Sequence, residues 1–551
     1  MTEPPPLIRN PLARCRVRRG LLALILLVAT TLRLHGVAFG LPALNDPDEP
    51  LFVMTALEML RNHSLDPGWF GHPGTITLYG LALTSLAVAL AGLASGRFAD
   101  AHAFVGAAYA DPGLIFLPGR LLILLSGVVC VLLTYRLGKR IGGARLGLLA
   151  AAFLAVNAVH IEYSQIIRTD VQATVFMLLA TLAAIAIFRG GRWRDYLLAG
   201  LFVGLGCATK WPAAVIALSP MAAGLYRILW GRAEGRRLAA FCLAALGSLL
   251  LVSPYLLLDH QTVLRDLAGE ARRVHPGATG GGFLANLGWY VDRPLLSSLG
   301  VAGLALTLLG LGWGTVRSRL LAVAVLPGFL AFLVIICAQA LRWERWIVPL
   351  LPLFALALAY ALCRLADLLR ARLGRRLPFA EPLAALLLMI PMAHAVWVNA
   401  AERAHDTRQI ASAWVRGHVP PGRSILIEHA AFDILQGPWR FLFPLGSAGC
   451  IDVHAALAGH IRYSRVEGLR ADSPIMDLGH VDMALLDSCR ADYAVLTHYA
   501  RYRADAATFG DALGRYRTLL KGARIVAVIR PEPGRSAGPV VHIVRLSRTR
   551  P

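Results

Sequence analysis

Charge is scarce in this chain: 16% of its 551 residues are Asp, Glu, Lys or Arg, where soluble proteins carry about 25%. Lysine is nearly missing, with Lys139, Lys210 and Lys521 the only three among 55 basic residues. The eight cysteines contain no C-x-x-C pair, and no Walker loop, H-E-x-x-H or G-x-S-x-G occurs. These absences exclude an ordinary soluble enzyme, a cysteine-rich secreted scaffold and a disordered chain. A formal net charge of +22 would suit nucleic acid, but the arginines stand in short clusters between apolar runs, not in one stripe interleaved with aromatics.

What fills the sequence is apolar: 57% of the residues are hydrophobic, and they recur in runs long enough to cross a bilayer. Bounding the runs by charge and by Gly/Pro clusters predicts about eleven spans: 20–39, 119–137, 145–161, 171–188, 196–210, 212–229, 238–258, 295–314, 320–340, 345–362 and 380–399. A further run from Thr75 to Ser95 also has the length. Counting it as a span would turn the cluster Arg136, Lys139, Arg140 and Arg145 outward, against the positive-inside tendency, so it is assigned as a re-entrant or interfacial helix. With that choice the inner segments of residues 1–401 carry 23 Lys plus Arg against five acids, and the outer segments 12 against 14. The N-terminus is then cytoplasmic. Arg14, Arg16, Arg18 and Arg19 precede the first run as in a secretory signal, but no A-x-A site follows, and the segment is expected to remain as the first span.

After Ala401 the long apolar runs stop. SILIE at Ser424, YAVLTH at Tyr493, RIVAVIR at Arg524 and VVHIVRL at Val540 predict strands, and RQIASAWVRGHV predicts a helix before the turn at Pro420. The fold class is therefore an α-helical polytopic membrane protein, 1–401, with a soluble extracytoplasmic α/β domain, 402–551, and an outer loop at 41–118 that holds an acidic motif and interfacial helices. Cys450 and Cys489 share that domain; an oxidising compartment would join them, and the sequence leaves the pair open.

Ionisable groups collect on the outer side. Asp46, Asp48 and Glu49 crowd the first outer loop in NDPDEP, just before a surface helix beginning at Pro50. A helix N-terminus favours a carboxylate, but capping needs only one. Three together suit a general base or a cation. His72 opens the interfacial run, and Glu162, Arg168 and Asp170 in HIEYSQIIRTD meet membrane depth, where ionisable groups are costly and mark function, snorkelling from a helix end being the plain alternative. Lys210 in CATKWP and Arg342, Glu344 and Arg345 in LRWERW stand at outer span ends; Trp343 and Trp346 could equally be interface anchors. Residues 259–274 predict an amphipathic helix, and HPGATGGGF after it a loop that is either a mobile flap or a plain linker.

These residue types suit chemistry on a lipid-borne substrate, with a carboxylate to take an acceptor's proton and fixed cations to stabilise a departing phosphate. In this order, DPDEP, HPG at His72, GRLLILLSGVV at Gly119, YSQIIRTD at Tyr163, ATKWP at Ala208, SPYLLLD at Ser253 and ERWIVPLLP at Glu344 make the chain resemble the C-type membrane glycosyltransferases, in particular the family 39 or protein-O-mannosyltransferase-like group. The resemblance spans residues 14–401. It departs where Pro73 is followed by Gly74 instead of a second Pro, and where Trp346 stands for a Tyr.

The resemblance implies an inverting hexosyl or pentosyl transferase that moves a sugar from a polyprenyl phosphate to a lipid, glycan or protein acceptor on the outer face of a bacterial inner membrane. It puts the acceptor and the base on Asp48 and Glu49, with Asp48 as base, and the donor phosphate on Arg168, Arg345, Lys210 and His72, with Asp46, Glu162 and Asp170 in support and Arg33 as an outside candidate. Members of the superfamily differ in needing a divalent metal, so the cofactor stays open. Two other classes compete: a lipid or solute transporter or flippase, against which stands the absence of internal repeats and of midplane charges, and a non-catalytic membrane scaffold, in which Asp48 would be dispensable.

Overall fold

The computed structural model describes residues 11–232, 234–271, 273–373, 380–428, 432–458 and 476–547. Helix α1 (Pro11–Leu34) leads to a loop region with α2 (Glu49–Arg61), α3 (Thr75–Ala94) and α4 (Ala101–Ala110). There follow α5 (Gly113–Ala155), α6 (Ala158–Tyr163), α7 (Thr169–Arg189), α8 (Trp193–Thr209), α9 (Leu218–Leu229), α10 (Gly235–Val252), α11 (Tyr255–Leu258), α12 (His260–Glu270), α13 (Phe283–Tyr290), α14 (Leu296–Arg317), α15 (Arg319–Ala324), α16 (Leu326–Ala338), α17 (Leu351–Leu373) and α18 (Ala380–Ala404).

Among the described residues eight helical stretches are long and apolar enough to cross a membrane. The segment expected at 119–137 and the first part of that expected at 145–161 lie within the single 43-residue α5, which reverses at Gly142 and Gly143; the latter has φ 88, a value glycine adopts without a Cβ clash, and α5 stops at Ala155 before the short α6. The segment expected at 320–340 is divided between α15 and α16, and that at 238–258 stops at Val252, after which Pro254 breaks the helix. Helix α3 has the length and composition of a span. In the fold it starts where Gly74 N donates to Thr209 O, then packs on α2, α4, the first turns of α5 and the end of α8, in company with the other helices of the first loop.

Burial separates central from peripheral helices. Helix α17 encloses almost every side chain of its first four turns, whereas α10 buries only Phe241 and Ser248 and leaves Leu243, Leu246 and Leu251 bare. Such an exposed apolar face is unfavourable in water and natural in hydrocarbon. Where α8 meets α10, Gly200 and Gly204 have no room for a side chain: a Cβ would lie 2.4 Å from Phe241 O and 2.3 Å from Ala245 O. The small residues let the two backbones touch, the usual device for helix pairs in a membrane. At the end of the bundle away from the first loop, Arg145 pairs with Asp367 and Glu381, and Arg227 and Arg237 with Glu234.

Beyond α18, which runs on past residue 401, helix α19 (Thr407–His418) is capped by Asp406 and opens the second domain. Its strands are β1 (Ser424–Ile427), β2 (Arg440–Pro444), β3 (Cys450–Asp452), β4 (Tyr493–Leu496), β5 (Arg524–Ile529) and β6 (Val541–Arg545). They form one sheet in the order β3-β2-β1-β4-β6-β5, with β2, β1 and β4 parallel and the edges antiparallel. Strand period two sends Ile425 and Ile427 to the α19 side and Leu426 to the opposite layer with Tyr502 and Tyr516. The four expected strands and the helix are present; β2 and β3, only five and three residues long, lacked a run the eye could separate from loop. Cys450 and Cys489 form a disulfide.

Candidate active site

Asp46, Asp48 and Glu49 fall within four positions of the first loop and end in three environments. Asp46 supplies the cap of α2: its Oδ1 accepts Asp48 N at 3.0 Å and Glu49 N at 3.3 Å. The carboxylate of Asp48 makes no capping hydrogen bond to the helix. It is thereby left to Arg168, which it contacts directly, while the other arm of Arg168 holds Asp46 at 2.8 Å. Arg345 Nη2 approaches Asp48 at 3.7 Å from the other side. Burial opposes the charge of Asp48, but Arg168 and Arg345, then His72, outweigh it and hold the carboxyl well below the usual carboxylate range. With its side chain 36% exposed, Asp48 still faces open space.

Glu49 does not share that space. Its side chain is fully enclosed and both oxygens are bound by Arg120, at 2.9 and 2.7 Å, with Ile167 N donating to Oε1 at 2.9 Å. Arg120 spends its remaining donor on the carbonyls of Val37 and Phe39. The expectation of two carboxylates side by side at the acceptor therefore meets one accessible carboxylate and one sealed ion pair. The cause is helix geometry: the first turn of α2 turns successive side chains by about 100°, so Asp48 and Glu49 cannot point the same way.

The cations converge from three other elements. Arg168 is the first residue before α7, in extended backbone. Lys210 follows the last turn of α8 and binds Asp170, the second residue of α7. Arg345 is the second residue of the turn before α17, with its guanidinium carbon 4.8 Å from the centre of the Trp343 ring, a cation-π contact that fixes the side chain. Arg168 Nε and Arg345 Nε are buried and bonded to nothing in the protein, donors still to be satisfied. His72 stacks on Trp69, centroids 5.7 Å apart, with Phe52 edge-on at 6.2 Å. Burial first, then Lys210 and Arg345, pushes its imidazole down to about 3, so His72 is a neutral hydrogen-bonding group and not a cation at neutral pH.

Two expected members bond to other groups. Glu162 Oε2 accepts from Asn399 of α18 at 2.6 Å. Arg33 is wholly buried against Ala29 O, Ala155 O, Ser164 and His160, and touches none of the site carboxylates. Sequence reasoning passed over Arg120, although an arginine inside GRLLILL carried the same membrane-depth signal as Arg168. The loop left open as either a mobile flap or a plain linker is fastened to the segment before α17: Gly280 N donates to Ala340 O and Arg342 N to Ala278 O, both at 2.8 Å, and the His275 and Trp343 rings meet edge-on. Among the described residues no three His, Cys, Asp or Glu side chains gather into a metal-holding group.

The fold has counterparts among solved structures, and part of the sequence matches a known family. Residues 115–258 match the family of dolichyl-phosphate-mannose-protein mannosyltransferases. Among solved structures, ArnT from Cupriavidus metallidurans in the apo state is similar over 96% of this chain and 98% of its own, with TM-score 0.53 and 15% identity. The same protein bound to undecaprenyl phosphate aligns over 97% of this chain and 98% of its own, with TM-score 0.51 and 13% identity. Archaeal oligosaccharyltransferase AglB from Archaeoglobus fulgidus, solved with an inhibitory peptide and a dolichol-phosphate, aligns over 92% of this chain and 72% of its own, with TM-score 0.53 and 13% identity. A comparison with curated proteins gives no significant match. The chain thus has the fold of the C-type membrane glycosyltransferases, the class its sequence resembles.

Proposed function

We propose that the protein is an inverting glycosyltransferase that moves a sugar from a polyprenyl phosphate to a hydroxyl acceptor on the outer face of a bacterial inner membrane. One observation carries the reading: a half-exposed carboxylate, Asp48, stands between Arg168 and Arg345, in the electrostatic reach of His72, beside the Lys210–Asp170 pair. In the proposed step the acceptor oxygen attacks the anomeric carbon as the bond from that carbon to the phosphate oxygen breaks. The phosphate leaves with the bonding electrons, and the acceptor's proton passes to Asp48. Arg345, Arg168 and Lys210 stabilise the growing phosphate charge, and neutral His72 donates a hydrogen bond.

The electrostatics support a base that the substrate itself switches on. At rest the two arginines make Asp48 a weak base. A donor phosphate competing for Arg345 would loosen that hold and raise its basicity only when the substrate is present. Glu49 and Asp46 are positioning groups, and Asp170 positions Lys210. Residues 1–401 form the membrane domain, with α3 lying at the interface and the N-terminus cytoplasmic; residues 402–551 form the outer domain, whose disulfide suits an oxidising compartment.

The test is release of polyprenyl phosphate from a panel of polyprenyl-phosphate sugars by purified protein in lipid, with membrane extract as acceptor. Turnover of one donor, lost in Asp48→Asn, supports the transferase. Equal turnover by the variant, or none of any donor by the wild type, rejects it in favour of a transporter or scaffold.

A further inference from the structure

The first loop is held at its base by the second domain. Asn45, next to Asp46, is almost completely buried. Its amide and that of Gln409 on α19 exchange two hydrogen bonds, Asn45 Nδ2 to Gln409 Oε1 at 2.8 Å and Gln409 Nε2 to Asn45 Oδ1 at 3.1 Å. The neighbouring Arg408 donates from Nη1 to Asn45 O at 2.6 Å. Arg408 is itself fixed, since Asp406, the cap of α19, takes its Nε at 2.8 Å and Nη2 at 2.7 Å. Across the loop, Gly40 leaves the room Asn45 fills: a Cβ there would sit 2.6 Å from Asn45 Cγ. Three directed bonds from one helix on one residue are more than covering a loop requires, and they end one residue from the carboxylate that both caps α2 and grips Arg168.

We infer that Gln409 and Arg408 are positioning residues, through which the outer domain sets Asn45 and hence the turn that aims Asp48 between Arg168 and Arg345. The consequence for catalysis rests on the transferase reading; the placement of the loop does not. A turn freed at Asn45 lets Asp46 and Asp48 drift from Arg168, so the Asp48 carboxyl climbs back toward its ordinary range. Orientation of the base is lost while the phosphate-binding cations, on α7, α8 and the turn before α17, stay in place.

The experiment uses the full-length protein in lipid vesicles with Gln409→Ala, Asn45→Ala and the double variant. Hydrogen exchange at the Asp48 and Glu49 amides, both bonded to Asp46, is expected to quicken about tenfold in each single variant, with no further change in the double. Unchanged exchange overturns the proposal whatever the activity. With a donor that the wild type turns over, kcat should fall and its acid limb move up by about one pH unit, while donor KM and binding of undecaprenyl phosphate hold; a loss confined to donor KM, or a wild-type pH profile, also overturns it. If Asp48→Asn turns over normally, the transferase reading fails and the exchange result still decides the loop. Gln409→Leu, which keeps the side-chain volume but can neither donate to nor accept from Asn45, replaces Gln409→Ala if the latter does not fold, with the same exchange readout.

Discussion

Arg120 closes on Glu49 through two parallel hydrogen bonds in a space with no solvent access, while Asp48, one residue earlier, keeps an open carboxylate. Neighbours in sequence thus serve different ends, one holding the loop to α5 and one facing the substrate space. A charge as deeply enclosed as Glu49 is tolerable only with its partner present.

Breaking that pair should unfold the region. Arg120→Leu or Glu49→Gln alone is expected to cost about 3–5 kcal/mol, and the double replacement less than either. Thermal unfolding of the purified variants in one detergent checks this; additive losses in the double variant would mean the pair is not the unit.

Asp48→Asn removes the base but neither arginine. Turnover should drop by about 100-fold to 10,000-fold, with undecaprenyl phosphate bound at least as well as by the wild type, because a competing carboxylate has gone. Single-turnover kinetics and a binding isotherm separate the two effects.

Arg345→Ala and Lys210→Met should act on the donor. Each removes a charge-assisted bond to phosphate, worth about 1.5–3 kcal/mol, or about 10-fold to 100-fold in donor affinity. Lys210→Met also strands Asp170 in a buried site, so Lys210→Met with Asp170→Asn should be the more stable protein.

His72 separates pH effects. Its folded pKa lies below its unfolded value, so it costs stability increasingly as pH falls through the ordinary histidine value toward about 3. At neutral pH the imidazole is uncharged in the resting site. The turnover profile between about pH 5 and pH 8 should therefore keep its shape in His72→Asn while its height drops; a titration step lost with the imidazole would reverse the assignment.

The disulfide joins β3 to the short helical turn just before β4. Cys450→Ser with Cys489→Ser should weaken that domain by about 2–5 kcal/mol, seen as earlier proteolysis between residues 402 and 547 with the helical part intact.

The sequence by itself determined the large-scale order: apolar runs of span length become helices because the bilayer leaves the backbone no other partner, and strand-like alternation after residue 401 becomes a sheet. It also marked Asp48, Arg168, Lys210 and Arg345, because charge beside a span is too costly to be idle. Tertiary structure decided which charges meet. Glu49 and Arg120, or Asn45 and Gln409, lie 71 and 364 residues apart, and nothing local relates them; their pairing depends on how α5 and α19 dock. Whether a carboxylate is sealed or open is likewise a matter of direction from the backbone, which one turn of α2 sets and no composition records.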